Sequence, residues 1–199
     1  FEYALPVLRR SHEAGRPFFA TLLTISNHPP YVLPKGFKAQ SKETEMQIVE
    51  YADRCIGDFM RRAAHEAWYE NTIFVFVGDH GKMVGQADCE LPESYNHVPL
   101  IFYGKGISPQ TNTSWAGQVD ISATILGMLG ISYTQNNFGV DLLQEQRPCI
   151  FYTADNTVAA RSEKHLYVYN PDAEKEFCYD IQGSSPQPVA MNEEHQQLK

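Results

Sequence analysis

Residues 73–77 are five consecutive apolar residues that run directly into Gly78, Asp79, His80 and Gly81. A short, wholly apolar run is typical of a strand buried on both faces of a sheet. Segments of two kinds alternate along the chain, with apolar runs at 17–25, 72–77 and 98–104 and helical periodicity at 41–70 and 119–131. This alternation predicts an α/β fold with a mainly parallel sheet and helices on both of its faces.

The segment 41–70 predicts one long helix, for which Ser41 is suited to be the N-cap. Apolar residues recur there at steps of three or four and predict one buried face: Val49, Ala52, Ile56, Phe59 and Ala63. The segment 119–131 predicts an apolar helix that stops near Gly130.

From about residue 147 the pattern changes to short β-like runs separated by turn residues such as Asn170-Pro171-Asp172. This change predicts a small antiparallel subdomain, with a polar tail that ends in a short helix. We therefore divide the chain into residues 1–146, an α/β part, and residues 147–199, a small antiparallel β subdomain with its tail.

Composition excludes several classes of function. The net charge is −8 and no Lys/Arg cluster is present, which argues against a nucleic-acid partner. No run of 18 apolar residues occurs, so we expect no membrane span in this chain. The four cysteines form no C-x-x-C pair, which argues against a structural zinc site. The sequence contains no P-loop or G-x-G-x-x-G motif for nucleotide binding and no G-x-S-x-G motif that would mark a serine nucleophile.

Four polar residues lie beside predicted strand ends, where open α/β sheets bind ligands: His28, Asp79, His80 and His97. A carboxylate next to an imidazole suits Mn²⁺ or Zn²⁺ and suits Ca²⁺ less well. The alternative for Asp79 and His80 is a polar turn in which Asp79 caps the next segment. For His28 and His97 the alternative is an exposed loop histidine.

Six segments, in this order, resemble the C-terminal half of a sulfatase-like enzyme of the alkaline phosphatase superfamily. The closest resemblance is to the bacterial phosphoglycerol transferases of the lipoteichoic acid synthase group. The segments are RPFFATLLTISNHPPYVLP (16–34), YADRCIGDFMRRAAHEAWYENTIFVFVGDHG (51–81), NHVPLIFYGKGI (96–107), GQVDISATILGMLGI (117–131), FGVDLL (138–143) and AARSEKHLYVYNPDAEKEFCYDI (159–181).

This resemblance implies roles for the four residues. Asp79 and His80 match metal ligands, with Mn²⁺ as the expected ion and Zn²⁺, Mg²⁺ or Ca²⁺ as alternatives. His28 matches a histidine that binds the phosphate or sulfate of the substrate. His97 lies where many sulfatases carry an Arg, so it is a substrate contact, a second-metal contact or a support for the strand.

No Cys or Ser here lies in the Cys/Ser-x-Pro-x-Arg motif that sulfatases convert to formylglycine. We therefore expect no catalytic nucleophile in this chain; it would lie upstream, and the chain alone would be inactive.

The resemblance implies part of a metal-dependent phosphoryl- or sulfuryl-transfer enzyme acting on phosphate or sulfate esters, such as a phosphoglycerol or phosphoethanolamine transferase. One alternative is a true sulfatase acting on sulfated glycans, and another is a non-catalytic domain that retains the fold. The resemblance also implies that the full-length protein is membrane-anchored with its catalytic domain outside the cytoplasm. The exposed sheet edge of a half domain predicts that this piece needs its missing half or dimerises.

Overall fold

A computed structural model describes residues 1–83 and 85–199 of the chain. The helices are α1 Ala4–Glu13, α2 Thr44–Ala63, α3 Ile121–Met128 and α4 Glu193–Leu198. The strands are β1 Phe74–Val77, β2 Leu100–Tyr103, β3 Ile150–Ala154, β4 Thr157–Arg161, β5 His165–Asn170, β6 Lys175–Asp180 and β7 Gln187–Pro188. Single 3₁₀ turns cover Tyr69–Asn71, Glu93–Tyr95 and Gln118–Asp120.

The chain divides into two compact units. The first comprises residues 1–75 and 102–107, and the second comprises residues 76–101 and 108–199. Strands β1 and β2 pair with each other in a two-stranded sheet. Among the described residues, no helix is both long and apolar enough to cross a membrane.

The core of the first unit lies between α1, α2 and the residues that follow α2. Its buried side chains are Leu5, Leu8, Phe59, Ala63 and Trp68. Helix α1 was missed by the sequence analysis, although Leu5 and Leu8 have the helical spacing that buries them.

Helix α2 confirms the helix predicted at 41–70 but is shorter at both ends. The predicted Ser41 cap is wrong, because the N-cap is Glu43 and Ser41 N–H instead donates to Glu50 Oε1 at 2.8 Å. The predicted buried face is also shifted near its start. Ile48 is buried there, whereas Val49 is 45% exposed.

The strand predicted at residues 17–25 is wrong. This segment forms no strand, and its side chains at Phe19, Leu23 and Ile25 are 80% or more exposed. A strand requires a neighbouring strand to accept its backbone hydrogen bonds, and no such neighbour pairs with this segment among the described residues. An apolar run predicts an extended backbone but does not identify its partner.

The largest sheet of the described residues is antiparallel, in the order β3-β4-β5-β6-β7, and belongs to the second unit. Alternate residues of its strands pack on opposite faces, as the two-residue period of a strand requires. Leu166, Val168 and Tyr179 pack with Leu91, whereas Tyr167 and Cys178 pack with Leu198 of α4.

This sheet confirms the predicted antiparallel region and α4 confirms the predicted terminal helix. The mainly parallel sheet is not confirmed, since the pairing of β1 with β2 is the only pairing outside the antiparallel sheet within residues 1–83 and 85–199. The division into residues 1–146 and 147–199 stays a prediction.

A buried ion pair connects the start of α3 to the segment that follows this helix. The Asp120 side chain has no exposed surface, and Arg147 Nη2 lies 2.6 Å from its Oδ1. The N–H groups of Gly117 and Val140 also donate to Asp120, each at 2.8 Å. Burial by itself would raise the pKa of Asp120, but the hydrogen bonds from Arg147, Gly117 and Val140 hold that pKa below its ordinary value.

Thr124, one helical turn later, extends this contact. Its hydroxyl donates to Asp120 O at 2.8 Å and accepts the N–H of Leu142 at 3.1 Å. The two residues thereby join α3 to the 138–143 segment.

Replacing Asp120 with alanine should lower the free energy of unfolding at pH 7 by about 3–5 kcal/mol, because Arg147 then stays buried without its counter-charge. A carboxylate with a lowered pKa stabilises the fold above its unfolded pKa, and this contribution is lost as pH falls through the folded pKa. The difference from wild type should therefore shrink below about pH 4. Urea denaturation at several pH values measures this difference in the free energy of unfolding.

The matched control is Glu163→Ala, which removes an exposed carboxylate of the same unit. An Asp120→Ala penalty no larger than that of the control, or one that is unchanged at pH 3, would contradict the assignment of this pair.

Candidate functional site

Asp79 and His80 come directly after β1, as the sequence indicated, and both side chains are exposed, by 75% and 62%. Asp79 Oδ1 accepts the backbone N–H of His80 at 2.9 Å. This bond turns the carboxylate toward the imidazole, so that Asp79 Oδ2 and His80 Nε2 lie 3.9 Å apart. One carboxylate oxygen and one ring nitrogen are therefore presented side by side.

The imidazole of His80 is fixed by its other nitrogen. Nδ1 lies 2.7 Å from the carbonyl oxygen of Gly81, which can only accept, so a hydrogen bond here uses a proton on Nδ1, and in the neutral ring the lone pair is then on Nε2. The ring also stacks on Tyr95, with the ring centroids 6.3 Å apart and the planes 17° apart. Metal-binding histidines have this arrangement, in which one ring N–H donates to a carbonyl and the other nitrogen is free to coordinate.

The glycines that bracket the motif are required by close contacts. A Cβ on Gly81 would lie 2.2 Å from the carbonyl oxygen of Ser94 and 3.0 Å from that of His97. A Cβ on Gly78 would lie 2.9 Å from Val98 Cγ1. The backbone at 94–97 therefore lies directly on the motif, and Gly81 N–H donates to Tyr95 O at 2.9 Å.

Arg161 of β4 holds the short turn that makes these contacts. Its Nη1 lies 2.6 Å from Glu93 Oε2, and its guanidinium carbon lies 4.9 Å from the centroid of the Trp115 ring. Because the Arg161 side chain is only 15% exposed, this ion pair is partly shielded from water. The antiparallel sheet thus supports the turn that packs on Gly81.

Gln118, which the sequence analysis did not single out, contacts the motif from another side. Its Nε2 donates to the carbonyl oxygens of Gly78 and Asp79, at 2.8 Å and 2.7 Å. The only signal in the sequence was its position two residues before Asp120 in the GQVDI segment.

His97 approaches the motif through its backbone, since its carbonyl oxygen is one of the two atoms that exclude a side chain at position 81. Its imidazole is 75% exposed, and Nδ1 lies 3.7 Å from Glu93 Oε1. The three roles expected for His97, as a substrate contact, a second-metal contact or a support for the strand, stay predictions.

His28 belongs to the first compact unit and lies in an exposed loop. Its Nδ1 lies 2.7 Å from the carbonyl oxygen of Pro29. As in His80, the proton on Nδ1 is engaged by the next carbonyl, and Nε2 points away from that bond as the free ring nitrogen.

The donor set has the chemistry of a partial metal site. An ionised carboxylate oxygen and a neutral imidazole nitrogen suit Mn²⁺ or Zn²⁺. Within the described part of the chain, however, no group of three or more His, Cys, Asp or Glu side chains is arranged to hold an ion. Asp79 and His80 therefore fit a metal ion as two of its ligands.

The Sulfatase family model matches residues 1–131, a range that includes all four candidate residues. Phosphoglycerol transferase I of Xanthomonas euvesicatoria pv. vesicatoria is 32% identical over 143 residues, which are 68% of this chain and 20% of that protein. Lipoteichoic acid synthase 1 of Bacillus subtilis is 26% identical over 168 residues, which are 74% of this chain and 25% of that protein.

A solved structure of a protein in the alkaline phosphatase superfamily from Vibrio parahaemolyticus has a similar fold, with a TM-score of 0.85 and 26% identity. The similarity covers 97% of this chain and 49% of that one. The chain thus spans about half the length of this structural relative and a quarter or less of the two curated relatives.

Gly81→Ala should destabilise the protein by about 1–3 kcal/mol, because the new methyl group meets backbone carbonyls that cannot rotate away. Chemical denaturation measures the change. Gly57→Ala in α2 is the matched control, since its Cβ meets only the end of the Arg61 side chain and alanine favours the helix. Equal stability of Gly81→Ala and wild type would show that the turn at 94–97 does not lie on the motif as described.

Proposed function

The chain belongs to the Sulfatase family, and we propose that it is part of a metal-dependent phosphoryl-transfer enzyme of the phosphoglycerol transferase type. The family and its relatives support phosphoryl or sulfuryl transfer in general. The observation that carries the finer proposal is the pair of atoms presented after β1, Asp79 Oδ2 and His80 Nε2, which lie 3.9 Å apart.

The choice of phosphoryl over sulfuryl transfer rests on the two curated relatives described above, which are a phosphoglycerol transferase and a lipoteichoic acid synthase. A Cys/Ser-x-Pro-x-Arg motif in another part of the full-length protein would favour the alternative, a sulfatase acting on sulfated glycans, whereas a Thr nucleophile would favour phosphoryl transfer.

In this proposal Asp79 and His80 hold a divalent metal ion, with Mn²⁺ as the first candidate and Zn²⁺, Mg²⁺ or Ca²⁺ as alternatives. The bound ion supplies positive charge for the non-bridging oxygens of the ester and lowers the pKa of a hydroxyl nucleophile. The protein keeps the two donors ready because the backbone and ring bonds described above fix both side chains before the ion binds.

His28 is the proposed contact for the anionic group of the substrate. Since Nδ1 donates to Pro29 O, a hydrogen bond from His28 to a phosphate oxygen must come from Nε2, which requires the imidazolium form. That form adds a positive charge that stabilises the anionic group. His97 is the second proposed substrate contact.

The nucleophile and the remaining ligands are proposed to come from another part of the longer protein. The proposed substrate is a phosphate or sulfate ester, and the acidic net charge makes nucleic acid an unsuitable partner. By analogy with the transferase group, we propose a membrane-anchored protein that acts outside the cytoplasm, and a tendency of the isolated chain to dimerise.

The isolated chain of 199 residues should turn over neither a chromogenic phosphodiester nor an aryl sulfate in the presence of Mn²⁺, because the proposed nucleophile lies in another part of the longer protein. The full-length protein, assayed in parallel, should cleave or transfer the phosphodiester. Turnover by the isolated chain would refute the placement of the nucleophile. A full-length protein that is inactive on both esters would favour a non-catalytic domain that retains the fold.

Asp79→Ala and His80→Ala should each lower the Mn²⁺ affinity of the full-length protein by more than about tenfold, because each removes a ligand. Elemental analysis and titration calorimetry measure this loss. His65→Ala, an exposed histidine of the other compact unit, serves as control and should bind as wild type does. Unchanged affinity in both site variants would overturn the metal assignment.

A further inference from the structure

Gln118 is an exposed residue whose side-chain amide contacts two consecutive backbone carbonyls. A primary amide has two N–H groups on one nitrogen. Here that nitrogen lies 2.8 Å from Gly78 O and 2.7 Å from Asp79 O, residues 40 and 39 positions away in the sequence. Both protons of Gln118 are thereby used on the backbone of the Gly-Asp-His-Gly motif.

The position of Gln118 is fixed from the interior. It lies in the 3₁₀ turn Gln118–Asp120, whose last residue is the fully buried Asp120. Asp120 Oδ2 accepts the N–H of Gly117, the residue before Gln118, and Arg147 neutralises the same carboxylate. The turn therefore cannot move without disturbing a buried ion pair, which is costly.

The two peptide groups that Gln118 engages determine how the Asp79 side chain leaves the backbone. The carbonyl of Gly78 belongs to the peptide group that precedes Asp79, and the carbonyl of Asp79 belongs to the one that follows it. Holding both carbonyls restricts φ and ψ of Asp79, and with them the direction of its carboxylate. The orientation of His80 is then set relative to Asp79 by the bond from its N–H to Asp79 Oδ1.

We infer that Gln118 is a positioning residue for the candidate metal ligands, acting through the backbone of Gly78 and Asp79 rather than by touching the ion. This inference rests on the proposed function, because it assigns Gln118 to the metal motif described there. It predicts that cation affinity depends on a side chain that supplies no ligand, and that hydrogen-bond donation is the property that matters.

The test compares Gln118→Ala, Gln118→Glu and wild type for Mn²⁺ affinity, measured in the full-length protein by calorimetry and by the electron paramagnetic resonance signal of free Mn²⁺. Supporting residues of this kind change metal affinity by about 10–100-fold. Glutamate has the shape of glutamine but cannot donate when ionised, so Gln118→Glu should lose at least as much affinity as Gln118→Ala. Gln110→Ala, which removes another exposed glutamine of the same unit, should change nothing.

A second readout requires no metal. Amide hydrogen exchange at His80 and Gly81, whose N–H groups bond to Asp79 Oδ1 and Tyr95 O, should become faster in both Gln118 variants and stay unchanged in Gln110→Ala. Unchanged thermal unfolding in all three variants would separate this local effect from a loss of fold.

The outcomes distinguish the two proposals. If both Gln118 variants bind Mn²⁺ as tightly as wild type does, the positioning role alone is overturned, even if hydrogen exchange becomes faster. Gln118→Glu with wild-type affinity also overturns it, because donation would then be irrelevant. Wild type that binds no Mn²⁺ overturns the proposed metal function, and the inference with it.

Discussion

The buried contact between Asp120 and Arg147 is the interaction on which the second compact unit depends. Asp120 has no exposed surface, yet its carboxylate receives the guanidinium and two backbone N–H groups. An ionised group is tolerated in such a position only when its acceptors are filled. Arg147 meets this requirement and also donates to Phe138 O, so one pair joins the start of α3 to the chain segment after it.

The backbone of the candidate ligands is held by two routes, and the first starts from this pair. Gln118, in the turn that Asp120 terminates, fixes the carbonyls of Gly78 and Asp79. Independently, Arg161 of the antiparallel sheet holds Glu93, at the start of the turn whose carbonyls lie against Gly81. An exposed loop with few apolar contacts would ordinarily be mobile. Here it is held by hydrogen bonds to its backbone, which leaves its side chains free to bind.

The sequence predicted what depends on local pattern. The spacing of apolar residues predicted α2 and α3, and the short apolar runs at 72–77 and 98–104 predicted β1 and β2. Asp79 and His80 were also predicted to follow a strand, and they follow β1. The failures depend on partners distant in the chain. The run at 17–25 forms no strand and has no neighbouring strand among the described residues, and Gln118 bonds to residues 39 and 40 positions away. Spacing along one segment contains no information on either partner.

The donor atoms of the two candidate ligands are held by hydrogen bonds, which suits the chemistry proposed for them. A structural metal site is closed and takes all of its ligands from side chains, whereas a catalytic site keeps positions open for water or substrate. Asp79 and His80 are more than half exposed although their backbone and the His80 ring are fixed. Fixed donors with open surroundings suit a site that other ligands and an ester complete. The bracketing glycines serve this arrangement, because a side chain at position 81 would displace the carbonyls of Ser94 and His97 that pack against the motif.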